Sequence, residues 1–191
     1  LRGISPIYGD KYMKKALQMG DLKHPETLEK HLHRLIDWKN DIIVKGYGQQ
    51  PISYDEVLQW IHTYGDPLIP YLCDAGELLE TAQAAGKSIM FEAQLGALRD
   101  INYGIYPFTS SSSPLAANAP VGCGLPSLKV DEVIGVTKAY STCVGEGPFV
   151  GELDGQAAHD LREAGAEYGA ATGRPRRVAW MDVVATRYGT K

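Results

Sequence analysis

Three observations predict an α/β chain, with a helical lobe over residues 1–86 and part of a mixed-sheet core over residues 87–191. Apolar residues recur at helical spacing through the first part. Short, continuous apolar runs read as buried strands follow after residue 86. Glycine- and proline-shaped turns crowd the second part and punctuate those runs.

The helices are justified first. Pro25 suits the first turn of a helix, with Glu26 and Glu29 favourable near its positive end. Leu28, Leu32, Leu35, Ile36, Ile42 and Ile43 follow at helical spacing, and Gly46 and Gly48 end the run. Ser53-Tyr54-Asp55-Glu56 reads as a capping box opening a second helix, whose inner face carries Val57, Leu58 and Ile61. A third helix is expected over residues 73–85, stopping at Gly86. In the second part, Ser88-Ile89-Met90-Phe91-Glu92 and residues 132–140 read as buried strands. Between them, residues 109–124 form a Ser-, Pro-, Ala- and Gly-rich stretch, read as a ligand-facing loop because strand signals border it. Residues 156–166 form a short amphipathic helix, and residues 182–188 begin another. No internal repeat or heptad pattern is visible.

Composition sets the class. Hydrophobic residues at 44% and charged residues at 22% are ordinary for a globular protein. A net charge of −4 argues against a general nucleic-acid binder. Three widely spaced cysteines, Cys73, Cys123 and Cys143, suggest reduced thiols rather than a disulfide framework or a zinc site. No apolar run is long enough to span a bilayer, and nothing resembles a signal peptide, so no membrane association and a cytoplasmic location are expected.

The most informative chemistry lies in Ala171-Thr172-Gly173-Arg174-Pro175-Arg176-Arg177. Arginine pairs bidentately with carboxylate or phosphate and stays charged at any working pH. Gly173 permits close backbone approach and Pro175 fixes one φ angle. The cluster is either an anion clamp or a solvated basic turn. The clamp is favoured by the apolar Val178-Ala179-Trp180-Met181 that follows, and by the rigid turn Val144-Gly145-Glu146-Gly147-Pro148-Phe149 that precedes it. Gly86-Lys87-Ser88 imitates the end of a phosphate-binding loop, but Thr81 stands where that motif needs glycine, so it reads as a helix stop. His31 and His33 point to different helix faces and make no metal pair. Nothing in the sequence fixes Glu92 and Asp100 as an acid–base couple.

Together these segments resemble the adenylosuccinate synthetase family. The blocks that carry the resemblance are Arg2-Gly3-Ile4-Ser5-Pro6, Met19-Gly20-Asp21-Leu22, Phe91-Glu92 and Asp100-Ile101-Asn102-Tyr103-Gly104-Ile105-Tyr106-Pro107-Phe108-Thr109-Ser110-Ser111-Ser112. Lys138-Ala139-Tyr140-Ser141-Thr142, the Val144 turn, the Arg174 turn and Trp180-Met181-Asp182 complete it, in family order over nearly the whole chain. The resemblance implies part of a P-loop-NTPase-like mixed sheet and a GTP-dependent ligase of purine (AMP) biosynthesis. GTP phosphorylates the C6 oxygen of IMP, and the amino group of L-aspartate displaces the phosphate to give adenylosuccinate.

Roles carried over by the resemblance fall on particular positions. The segment Ala170, Ala171, Thr172, Gly173, Arg174, Pro175, Arg176 closes over aspartate. Arg174 faces aspartate and the nucleotide, and Arg176 reaches the GTP side. Val144 offers its backbone to the ribose, and Ser110 stands for a threonine that binds the nucleotide phosphate. Lys14 matches an arginine that reaches the nucleotide phosphate of a partner subunit, which implies a homodimer. Departures occur at three places. Gln94 and Leu95 fall where the family has its nucleotide-contacting glutamine, with Leu95 on that position when no gap is allowed. Lysine replaces arginine at Lys14, and Ala171 replaces a threonine. The resemblance places the family's phosphate loop, its catalytic aspartate and histidine, its guanine-reading segment and the ligands of Mg2+ outside this stretch. It therefore implies an internal piece of a longer enzyme, with no catalytic or metal-binding residue of its own and no turnover by itself. The alternative is a non-catalytic nucleotide-binding or dimerisation module descended from that enzyme.

Overall fold

The computed structural model describes residues 3–170 and 173–191 and divides into two units, Leu1–Ile89 and Met90–Lys191. The first unit is helical: α1 (Ile4–Tyr12), α2 (Pro25–Asp41), α3 (Tyr54–Tyr64) and α4 (Ala75–Ala84). Pro25 opens α2, and the helix widens into a π turn, Ile42–Gly46, before Gly48 turns the chain at φ 61. Ser53 caps α3 by accepting from the Glu56 amide at 3.3 Å, and Asp74 caps α4 by accepting from the Glu77 amide at 3.1 Å. The core is Leu22, Leu28, Leu32, Ile36 and Ile61, with Leu17, Tyr54, Val57, Leu58, Ile69 and Leu72 packed around it. Leu28, Leu32 and Ile36 lie one turn apart and bury one stripe of α2. The stripe stops there: Ile42, expected inside, is 39% exposed where the π turn rotates the chain. Helix α1, which has no apolar stripe to announce it, is held by Asp10, whose buried carboxylate pairs with Lys39 of α2 at 2.6 Å.

The second unit contains a single antiparallel pair among the described residues, β1 (Tyr140–Cys143) and β2 (Arg177–Trp180), with Tyr140 opposite Trp180 and Cys143 opposite Arg177. The helices α5 (Ala119–Gly122), α6 (Gly155–Ala164) and α7 (Val183–Gly189) complete it. Val178 and Ala179 are fully buried, whereas Trp180 is 66% exposed, so the apolar segment after the arginines anchors through its first two residues.

Two expected strands are not strands. Residues 88–92 run without strand pairing and leave Met90 88% exposed. In residues 132–140 only Tyr140 joins a strand, while Ile134 and Val136 lie exposed. An apolar run becomes a strand only when a neighbour accepts its backbone hydrogen bonds, and among the described residues none does so here. The stretch 109–124 is likewise not structureless. It forms a 3₁₀ turn, Ala116–Asn118, that leads into α5. Among the described residues no helix is long and apolar enough to cross a membrane.

Candidate functional site

The arginine turn is the tip of a hairpin-like arm in the second unit. Tyr168 and Pro175 form an antiparallel bridge, and the Gly169 amide donates to the Arg174 carbonyl at 2.8 Å. Gly173, at φ 63, adopts the left-handed backbone that glycine tolerates, and its amide donates to the Gly169 carbonyl at 2.7 Å. Ala170, Gly173, Arg174 and Pro175 are exposed at this tip. Ala171 and Thr172 lie outside the described residues.

Arg176 and Arg177 are adjacent at the head of β2, and successive strand residues project to opposite sides. Arg176 turns to Glu167, its Nη1 donating to Oε2 at 2.9 Å. Arg177 turns the other way, to Glu152: its Nε donates to Oε1 at 2.7 Å and its Nη2 to Oε2. The same guanidinium donates through Nη1 to the carbonyls of Gly145 (3.2 Å) and Gly147 (3.0 Å) and lies over the Phe149 ring. Arg177 thus pins the turn that carries Val144, itself 65% exposed just after β1. The hydrogen bonds from Arg177 hold the Glu152 carboxyl below the usual range.

That turn rests on a second loop. Gly147, at φ 106, sits against Phe108 so closely that a Cβ there would overlap the Phe108 side chain. Arg99 braces the same loop by donating to the Phe108 carbonyl, and the Ser110 amide donates to the Arg99 carbonyl at 2.8 Å. Ser110 Oγ lies 3.0 Å from Ser112 Oγ, half-buried. Beneath them is Asp100, 1% exposed, which accepts from the Asn102 and Tyr103 amides at 2.8 Å each and from Ser113 Oγ. Burial works to raise its pKa, but the bonds from Ser113, Tyr103 and Asn102 outweigh burial, and the carboxyl titrates below its ordinary value. Asp100 is therefore a fixed anion that shapes the Ser110 loop.

The remaining expected positions divide between the units. Gln94 and Leu95 are both exposed, beyond a groove of about 370 Å³ lined by residues including Phe91, Glu92, Ser113 and Asn118. Leu95 has φ 80 and Gly96 φ 83, a left-handed pair that costs the leucine about 1–2 kcal/mol. Lys14 belongs to the first unit. It too has a left-handed backbone, φ 60, and lines a groove of about 540 Å³ with Lys11, Gln18, Asp21 and His31. In the second unit, the Arg177 and Gly147 contacts bring the Ser110 loop, the Val144 turn and the arginine arm together.

This order of loops has known counterparts. The family profile of adenylosuccinate synthetase matches residues 1–191. The chain belongs to the adenylosuccinate synthetase family. It is 42% identical over 190 residues to the adenylosuccinate synthetase of Symbiobacterium thermophilum and 40% identical over 191 residues to that of Lactococcus lactis subsp. lactis. All of this chain and 44% of each relative are covered. A solved structure, the fully ligated adenylosuccinate synthetase from Plasmodium falciparum, superposes with a TM-score of 0.86 at 32% identity, over 95% of this chain and 42% of that one. The fold is the α/β fold of that enzyme. The chain spans less than half the length of the adenylosuccinate synthetases it matches.

Two residues of this segment are silent in the sequence. Glu167 and Glu152 read as ordinary charges, and their importance follows only from which arginine each one meets. Arg177 belongs to the basic cluster but lies one place beyond the positions matched by the resemblance, and its donors go to Glu152 and two carbonyls. For Arg177 the signal existed: adjacent residues on a strand cannot both face one ligand.

Proposed function

We propose that this chain supplies the IMP- and aspartate-contacting part of a GTP-dependent ligase that joins IMP to L-aspartate and forms adenylosuccinate, GDP and phosphate. The carrying observation is the arginine arm: Arg174 stands at an exposed tip while Arg176 and Arg177 brace its base on buried or bidentate carboxylates. A turn that served only solubility would not need its base anchored so heavily.

In this reading each group has one task. Arg174 offers a fork to the carboxylates of aspartate, orienting the amine toward C6 of the purine. Arg176 reaches the GTP side and pairs with phosphate oxygens of the bound nucleotide. Ser110 Oγ donates to the nucleotide phosphate, and the Val144 backbone meets the ribose. Ala170, Ala171, Thr172, Gly173 and Pro175 shape the loop over aspartate. Gln94 or Leu95 borders the nucleotide, and Lys14, with Lys11 beside it, extends a cation toward the nucleotide phosphate of a second subunit in a cytoplasmic homodimer. In this reading magnesium accompanies GTP and is assigned to none of these groups.

The reading is tested on the full-length gene product that carries these residues, incubated with IMP, aspartate, GTP and magnesium. Adenylosuccinate should form with one GDP and one phosphate per turnover. Tight IMP binding without product would instead favour the non-catalytic nucleotide-binding module.

A further inference from the structure

We infer that Glu167 is the positioning residue of Arg176, holding its guanidinium for the ligand through a buried charge network that also includes Lys138 and Tyr140. The inference rests on the proposed function and deepens it.

Glu167 stands directly across the base of the arm from Arg176, and the Arg176 amide donates to the Glu167 carbonyl at 2.9 Å. Its side chain is 3% exposed. An ionised carboxylate so deeply buried persists only when it is paired and hydrogen-bonded. It meets three donors: Lys138 Nζ at 2.5 Å and Tyr140 OH at 2.6 Å on Oε1, and Arg176 Nη1 at 2.9 Å on Oε2. Burial works to raise its pKa, but the bonds from Lys138, Tyr140 and Arg176 prevail and keep it charged.

The network is built, not incidental. Tyr140 OH reaches Glu167 only because Gly165 has no side chain; a Cβ there would overlap that hydroxyl and sit 3.1 Å from Glu167 Cγ. Lys138 is steadied in turn by Thr142 Oγ1 at 3.0 Å. From the other side, Arg162 Nε donates to the Arg176 carbonyl at 2.9 Å, so the Arg176 backbone is fixed on both flanks.

Two features favour an anionic ligand at Arg176, whose side chain is 31% exposed. One carboxylate faces two cations, Lys138 and Arg176, which leaves a positive excess. Glu167 also takes Arg176 by Nη1 alone, and Arg176 Nε is buried without a partner among the described residues. A buried donor left unpaired is unfavourable, and an anionic ligand oxygen is the group that would satisfy it.

The test uses the full-length gene product, with GTP, aspartate and IMP varied separately. Glu167→Gln should raise the KM for GTP by about tenfold to a hundredfold, the cost of a guanidinium misplaced by about an ångström, and change kcat far less. Arg176→Ala should do the same, and the double variant should be no worse than Arg176→Ala, since one residue acts through the other. Should Glu167→Gln fail to fold, Glu167→Asp keeps the charge on a shorter stem and should give an intermediate rise. A folded Glu167→Gln protein with unchanged KM for GTP, or effects that multiply in the double variant, would overturn the inference while the proposed function stands. Unchanged kinetics for both Arg174→Ala and Arg176→Ala would instead reject the site itself, and this inference with it.

Discussion

At the scale of single residues, the two most buried acids of the second unit, Asp100 and Glu167, both titrate below their ordinary value because donors surround them. The unfolded chain, with carboxyl values near about 4, therefore holds more protons than the folded one in the window just below that value. Stability rises with pH through this window, is complete above it, and is lost as pH falls through the lowered folded values. Denaturant titrations from about pH 7 down to about pH 3 should show this fall. Asp100→Asn, which cannot ionise, should flatten it, and an unchanged pH slope in that variant would contradict the assigned role. The acids themselves were hardly legible in advance. Asp100 and Glu92 stood out only as a possible pair, whereas the partners of Asp100 are Ser113 and two backbone amides. No local pattern encodes that a loop returns thirteen residues later to close on one carboxylate.

At the scale of elements, helices α2, α3 and α4 were legible because their signals are local: Pro25 and Ser53 mark starts, Gly86 marks a stop, and Leu28, Leu32 and Ile36 mark a buried face. Strands depend on a partner distant in sequence, so the apolar runs at residues 88–92 and 132–140 were misread while β2 went unannounced. The Val144 turn was legible as a rigid glycine turn, but not its docking on Phe108. That docking makes a prediction. Gly147→Ala should destabilise the protein by about 1–3 kcal/mol, because the added methyl meets the Phe108 side chain and the backbone has φ 106. Gly135→Ala, in open space at an ordinary φ, is the control and should be close to neutral. Equal midpoints in urea for the two variants would remove the claim that Gly147 is a packing contact.

At the scale of the whole molecule, each of the two units leaves large apolar side chains in solvent. Tyr71 is 81% exposed in the first unit, and Val136 is 94% and Ile134 77% exposed in the second. Surface of that kind favours association with other chains. The 191-residue chain prepared by itself should sediment as more than a monomer at micromolar concentration, and a monodisperse monomer would count against this. The central claim, that the arginine arm holds aspartate, is tested most directly by steady-state kinetics of Arg174→Ala in the full-length gene product, with aspartate and GTP varied separately. Losing a charge-assisted fork to a carboxylate costs about 2–5 kcal/mol, so the KM for aspartate should rise roughly thirtyfold to several-thousandfold and the KM for GTP far less. Small and equal changes for both substrates would mean that the arm is a solvated turn and that aspartate binds elsewhere.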